Sequence, residues 1–158
     1  MEARVSRLLH TDVVIDASPG DVWITLADFA AFPSWNPFIR KIVGRLEAGA
    51  RLDVELSPPG SRPVTIHPTV REVQPGRELR WLGHLGVPGL FDGEHCFQIE
   101  PLGDGQVRFV QSERSSGVLA PLVLPIVGGS TKRGFEAMNQ ALKEQVEAKA
   151  KRRETQDA

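Results

Sequence analysis

The chain has 158 residues, 41% hydrophobic and 25% charged, with a net charge of −1 and a single cysteine. These totals describe one soluble domain, long enough to bury a core. They exclude an internal disulfide and any bulk electrostatic pull toward nucleic acid or an anionic membrane. Cys96 alone fits a reducing cytoplasm. The longest apolar run, "GVLAPLVLPIVGG", is broken by two prolines and is too short to span a bilayer, so no stable membrane insertion is expected. The start, "MEARVSRLLHTDVV", has no apolar core followed by a small-residue cleavage site, so no signal peptide is expected. A cytoplasmic monomer or weak homodimer is the reading.

In chain order, "LHTDVVIDA" (8–16) is rich in β-branched residues and predicts a first strand. In "SPGDVW", Ser18 suits an N-cap, Pro19 the first helical position, and Asp21 the positive end of the helix. Val22, Trp23, Leu26 and Ala30 follow at helical spacing. A second short helix begins near Phe32, in "FPSWNPF", and stops by Pro37. Six strands then alternate with turn signals: "FIRKIVGRL", "ARLDVEL", "PVTIHPTVREV", "RELRWLGHL", "LFDGEHCFQIEP" and "GQVRFVQSERS". Short spacing predicts an antiparallel meander. Pro121 and Pro125 interrupt the next apolar run, predicted as a loop or kinked segment. A long amphipathic helix is predicted from about Ser130, with Phe135, Met138, Leu142 and Val146 on one stripe. The charged end, about 149–158, reads as a frayed tail.

An antiparallel sheet with one apolar face needs a cover. A single helical stripe is too narrow to fill the concave side of a curved seven-stranded sheet, so a cavity between sheet and helix is expected.

The sequence resembles the START-like (SRPBCC) superfamily, over roughly residues 8–148. The resemblance is carried by "ASPGDVWITLADFAAFPSWNPFI", "PGRELRWLG", "LFDGEHCFQIEP", "SERSSGVLAPL" and "GFEAMNQALK". The patterns around "WNPF" and "GEH.F" are most similar to its bacterial branch labelled polyketide cyclase or dehydratase-like. The resemblance implies an α+β helix-grip fold: a seven-stranded curved antiparallel sheet wrapped around a long C-terminal helix, with two short helices after the first strand. It implies an internal apolar cavity, a small hydrophobic ligand, and no metal or organic cofactor. Carriers, receptors, cyclases and chaperone activators all share that scaffold, so function has to be argued from the cavity.

Strand parity gives the cavity residues independently. Phe91, His95, Phe97 and Ile99 share one face of their strand; Val107, Phe109, Gln111 and Glu113 share one face of the next; Leu79 and Trp81 share a third. The phenylalanines mark those faces as inward. His95, Gln111 and Glu113 are then polar groups in apolar surroundings, and a buried charge there needs a partner. A paired His95 and Glu113 can move a proton near neutral pH, as an aldol-type cyclisation requires. Equally, His95 can bond a carbonyl and do no chemistry, while Glu113 near a strand end reaches solvent. Gln111 suits orienting a ligand carbonyl.

Trp23 reads as core, Trp81 as cavity wall, and Trp35 as an entrance residue or part of a structural stop with Asn36 as cap. The stripe of Phe135, Met138 and Leu142 reads as core and cavity ceiling together. The run at 118–127 reads as a lid, a dimer contact, a membrane touchpoint or ordinary packing. The four histidines show no metal-ligand spacing, and no phosphate-binding loop or nucleophile elbow is present. Three readings stay open: a carrier or sensor of a lipid, fatty acid, isoprenoid or aromatic polyketide; a cyclase or dehydratase using His95 and Glu113; and a chaperone-activator-like interaction module.

Overall fold

The computed structural model describes residues 7–158. Strand β1 (Arg7–Ile15) leads into α1 (Pro19–Ala27), a 3-10 turn (Phe29–Ala31) and α2 (Phe32–Trp35). Ser18 caps α1 by accepting from the Asp21 N–H at 3.2 Å, with Pro19 at the start. The apolar stripe ends differently from the prediction: α1 stops at Ala27, and the tighter turn buries Phe29 in place of the exposed Ala30. Asn36 ends α2. It is fully buried, and its Oδ1 accepts from the N–H groups of Phe38 and Ile39 at 3.0 and 2.9 Å, which turns the chain into the next strand.

The strands that follow are β2 (Ile39–Val43), β3 (Asp53–Leu56), β4 (Val64–Ile66), β5 (Thr69–Gln74), β6 (Glu78–His84), β7 (Asp92–Gly103) and β8 (Gln106–Ser116). Among the described residues there are eight strands in two antiparallel sheets, ordered β1-β8-β7-β6-β5 and β2-β3-β4. The expected count of seven is corrected because "PVTIHPTVREV" is two strands. Pro68 has no N–H to give a ladder, and the run breaks at His67 and Pro68. The sheets remain stitched at that corner: Leu52 N–H donates to the Pro68 carbonyl, and Val70 N–H to that of Ala50, both at 2.8 Å.

The long helix, α3, is Ala120–Asp157, 38 residues. It begins ten residues before the predicted start. Pro121 lies in the first turn, where N–H groups have no intrahelical partner anyway, and Pro125 removes a single further bond. The apolar run is therefore helical. Ala120 and Leu124 pack inward, while Val118, Leu122 and Ile126 stay exposed. The charged far end is helical to Asp157, and Arg153 reaches Asp21 of α1 at 2.7 Å. Nearer its middle, Lys143 donates to the Val14 carbonyl at 2.9 Å, and Glu147 accepts from Asp16 N–H at 2.9 Å. These contacts clamp α3 across the end of β1. The helix-grip architecture, a large antiparallel sheet closed over a long C-terminal helix, is thus present. Among the described residues, no helix is long and apolar enough to cross a membrane.

Candidate functional site

Cross-strand register turns inward parity into rows. Leu9 of β1 pairs with Glu113 of β8, Glu113 with His95 of β7, and His95 with Trp81 of β6. One row outward lie Ser115, Gly93 and Gly83. One row inward lie Thr11, Gln111, Phe97 and Leu79. The first two rows wall a cavity of about 310 Å³. Phe38, just before β2, and Ile39 at its start close it from one side, and Leu124, Val127 and Phe135 close it from α3. Exposed Val64, Leu85 and Arg62 stand at its mouth with Phe91.

Of the candidates from the sequence, Trp81, Phe91, His95, Glu113 and Phe135 line this cavity. Phe97, Phe109, Met138 and Leu142 face the same way but are packed solid beneath it, in the main apolar core. Gln111 is buried in that core and does not reach the cavity wall. Trp35 also lies outside the lining; it packs edge-on against Phe32 at 5.1 Å, with its Nε1 meeting no acceptor among the described residues. Trp23 is partly buried against the core.

His95 is 6% exposed and held among rings, with centroids 4.4 Å from Phe97, 4.7 Å from Phe135 and 5.4 Å from Trp81. Its polar contacts are more informative. His95 Nε2 lies 2.9 Å from Gln111 Oε1. Gln111 Nε2 donates to Asn139 Oδ1 at 2.9 Å, and Asn139 Nδ2 donates to Thr11 Oγ1 at 2.9 Å. Thr11 Oγ1 in turn donates to the Gln111 carbonyl at 3.0 Å.

This chain has only one consistent direction. A backbone carbonyl only accepts, so the Thr11 hydroxyl must donate to it. Thr11 then accepts from Asn139, Asn139 accepts from Gln111, and Gln111 Oε1 is left to accept from His95. The network fixes a proton on His95 Nε2. The other ring nitrogen, Nδ1, which carries the lone pair when the ring is neutral, lies 3.8 Å from Glu113 Oε2. That distance is too long for a direct hydrogen bond. The Glu113 side chain is 22% exposed, and its Oε1 lies only 2.7 Å from where a Cβ on Gly93 would be. Glycine there leaves room for the carboxylate.

Thr11 and Asn139 were not among the sequence candidates. Both carried a signal. Thr11 shares its strand face with Leu9, Val13 and Ile15, and Asn139 sits on the buried stripe between Met138 and Leu142. A polar residue on an apolar face is the same anomaly that singled out His95.

Other groups are poor candidates for chemistry. Burial, then its hydrogen bond to Glu78, pushes the Cys96 thiol up to about 12, so it holds its proton. Among the described residues, no cluster of histidine, cysteine and carboxylate side chains could hold a metal ion.

The family described as "Polyketide cyclase / dehydrase and lipid transport" matches residues 7–147. The chain belongs to this family. No curated protein matches the sequence. Solved structures with the same fold include a norcoclaurine synthase point mutant from Thalictrum flavum, in complex with a transition-state analogue, at 18% identity and TM-score 0.73; it covers 95% of this chain and 99% of that one. The Zhui aromatase/cyclase from a Streptomyces species matches at 15% identity and TM-score 0.72, over 92% and 96%. A START superfamily protein from Mycobacterium smegmatis matches at 22% and 0.68, over 89% and 97%. At these identities the likeness is one of fold, and it places this START-like chain in the helix-grip class.

Proposed function

We propose that this START-like chain is a single domain that binds a small hydrophobic or amphipathic molecule in the cavity under α3, as a carrier or sensor. The observation that carries the reading is the cavity itself. About 310 Å³ is walled mainly by Leu9, Ile39, Trp81, Phe91 and Phe135, a size and lining suited to a small organic ligand. A chaperone-activator-like module needs no such volume, so the cavity counts against that reading. With one cysteine and a net charge of −1, we place the protein in the cytoplasm, as a monomer or weak homodimer with no nucleic-acid partner.

A second reading is favoured by one specific observation: the hydrogen-bond chain that aims the His95 lone pair into the cavity beside Glu113. A base held that way can take a proton from a bound substrate, and the adjacent carboxylate can stabilise the resulting imidazolium. Two of the fold neighbours are named as a synthase and an aromatase/cyclase, which supports acid–base chemistry of the cyclase or dehydratase kind.

The test is an amide NMR titration of the full chain with fatty acids, sterols, flavonoids and aromatic polyketides. Saturable shifts at Trp81, His95, Glu113 and Phe135 are expected. A folded protein giving no shift with any compound rules the binding reading out. If a ligand is turned over, His95→Ala and Glu113→Gln should each stop turnover; normal turnover by the double variant ends the catalytic reading.

A further inference from the structure

The polarity of the cavity wall carries more than its volume does. His95 spends its N–H on Gln111, and the Thr11–Asn139–Gln111 chain prevents the amide from flipping to free it. With that N–H committed, what the ring in its neutral form offers the cavity is the Nδ1 lone pair. Glu113 stands opposite, and a carboxylate accepts hydrogen bonds and donates none. Two acceptors 3.8 Å apart thus face the same space, beside apolar Trp81, Phe135 and Leu9 and one row in from the Ser115 hydroxyl. One donor atom at ordinary hydrogen-bond distance, about 2.8 Å, can reach both.

We infer that the cavity selects an apolar molecule whose inner end is a hydrogen-bond donor, a hydroxyl or an ammonium, and rejects the matching carboxylic acid. This rests on the cavity being a binding site. A carboxylate placed against Glu113 and the Nδ1 lone pair meets like charge and a second acceptor, and the donors on that strand face reduce to the Ser115 hydroxyl one row outward. The reverse orientation, with the acid at exposed Arg62 in the mouth, presses the apolar tail against Glu113 and strips its hydration without replacement. Fatty acids are therefore disfavoured in both directions, and phenols, alcohols and amines on a compact apolar skeleton are favoured.

The experiment compares naphthol, naphthylmethylamine, naphthoate and methylnaphthalene by amide NMR titration of the full chain, so that only the head group differs. Naphthol or naphthylmethylamine is expected to bind at least about tenfold more tightly than naphthoate, a difference of about 1.4 kcal/mol. Which of the two binds better shows whether hydroxyl or ammonium is the preferred donor. In Glu113→Gln the amide both donates and accepts, and the gap should narrow to about threefold or less. Naphthoate binding as tightly as the donor probes overturns the inference and leaves the cavity reading standing. A gap unchanged in Glu113→Gln overturns it too, because the head group is then read elsewhere. If none of the four probes shifts the cavity amides of the folded protein, the binding reading falls and this inference with it.

Discussion

His95 and Gln111 are joined by a 2.9 Å hydrogen bond in which the histidine is the donor. They lie in adjacent inward rows, so a residue in the packed core sets the state of a residue in the cavity wall. Gln111 is fully buried, and every polar atom of its side chain has a partner. Gln111→Leu keeps the bulk but strands the His95 N–H and Asn139 Oδ1. Each stranded buried group costs about 1–3 kcal/mol, and the variant should lose about 2–4 kcal/mol in urea unfolding. Nitrogen NMR shifts of His95 should show the Nε2 proton in the parent and a mixture of tautomers in the variant. A loss below about 1 kcal/mol means the network is not closed as described.

Glu113 and Gly93 are a second such pair. An alanine Cβ at position 93 meets Glu113 Oε1 at 2.7 Å, and a carboxylate at the end of a flexible side chain yields. Gly93→Ala should leave stability within about 0.5 kcal/mol of the parent. It should move the carboxylate from its place beside His95 and lower naphthol affinity by about threefold or more, or about 0.7 kcal/mol. Unchanged affinity places the head-group contact away from Glu113.

The sequence made the faces legible but not the depth. Alternation along β7 and β8 put His95, Phe97, Phe109, Gln111 and Glu113 on one side, and all of them face inward. Parity says nothing about what stands opposite each row. α3 crosses the sheet so that Met138 and Leu142 seal the rows of Phe97 and Phe109 into solid core, while the outer rows of His95 and Ser115 stay open. That crossing is a tertiary fact. The early start of α3 was missed for a local reason: two prolines read as breaks, yet Pro121 sits in a first turn that needs no N–H from it. Asn139 is a buried polar residue on the apolar stripe of Phe135, Met138 and Leu142, so its position follows from the same spacing.

Acid should loosen one end of the molecule before the rest. The hydrogen bond from Arg153 holds Asp21 below its ordinary 3.8, against the opposing pull of partial burial. For Glu147, burial pushes upward, but the hydrogen bonds from Lys143 and the Asp16 N–H outweigh it and hold the group below 4.5. Each folded carboxylate therefore binds its proton less readily than in the unfolded chain. Their contributions are complete above those ordinary values and are lost as pH falls through the lowered ones. Protection from amide exchange at residues 149–157, taken relative to the intrinsic rate at each pH, should fall below about pH 4, ahead of protection in β7 and β8. Asp21→Asn should show the faster exchange already at neutral pH. Simultaneous loss of protection everywhere would mean the tail is not held by these pairs.

Helix α3 can approach the turn between α2 and β2 only because residue 134 has no side chain. A Cβ at Gly134 would lie 2.4 Å from the Phe38 ring, which itself packs edge-on against Phe135 at 5.6 Å. Gly134→Ala gains up to about 1 kcal/mol of helix propensity. The clash forces a buried ring to shift or the helix to lift, at about 1–3 kcal/mol, so the net change should be a loss. Phe38 also lines the cavity, so the same variant should weaken ligand binding. The sign reverses once the ring is gone: in a Phe38→Ala background, adding Gly134→Ala should be neutral or stabilising. A coupling near zero in that double-mutant cycle would show that the ring and the helix do not meet as described.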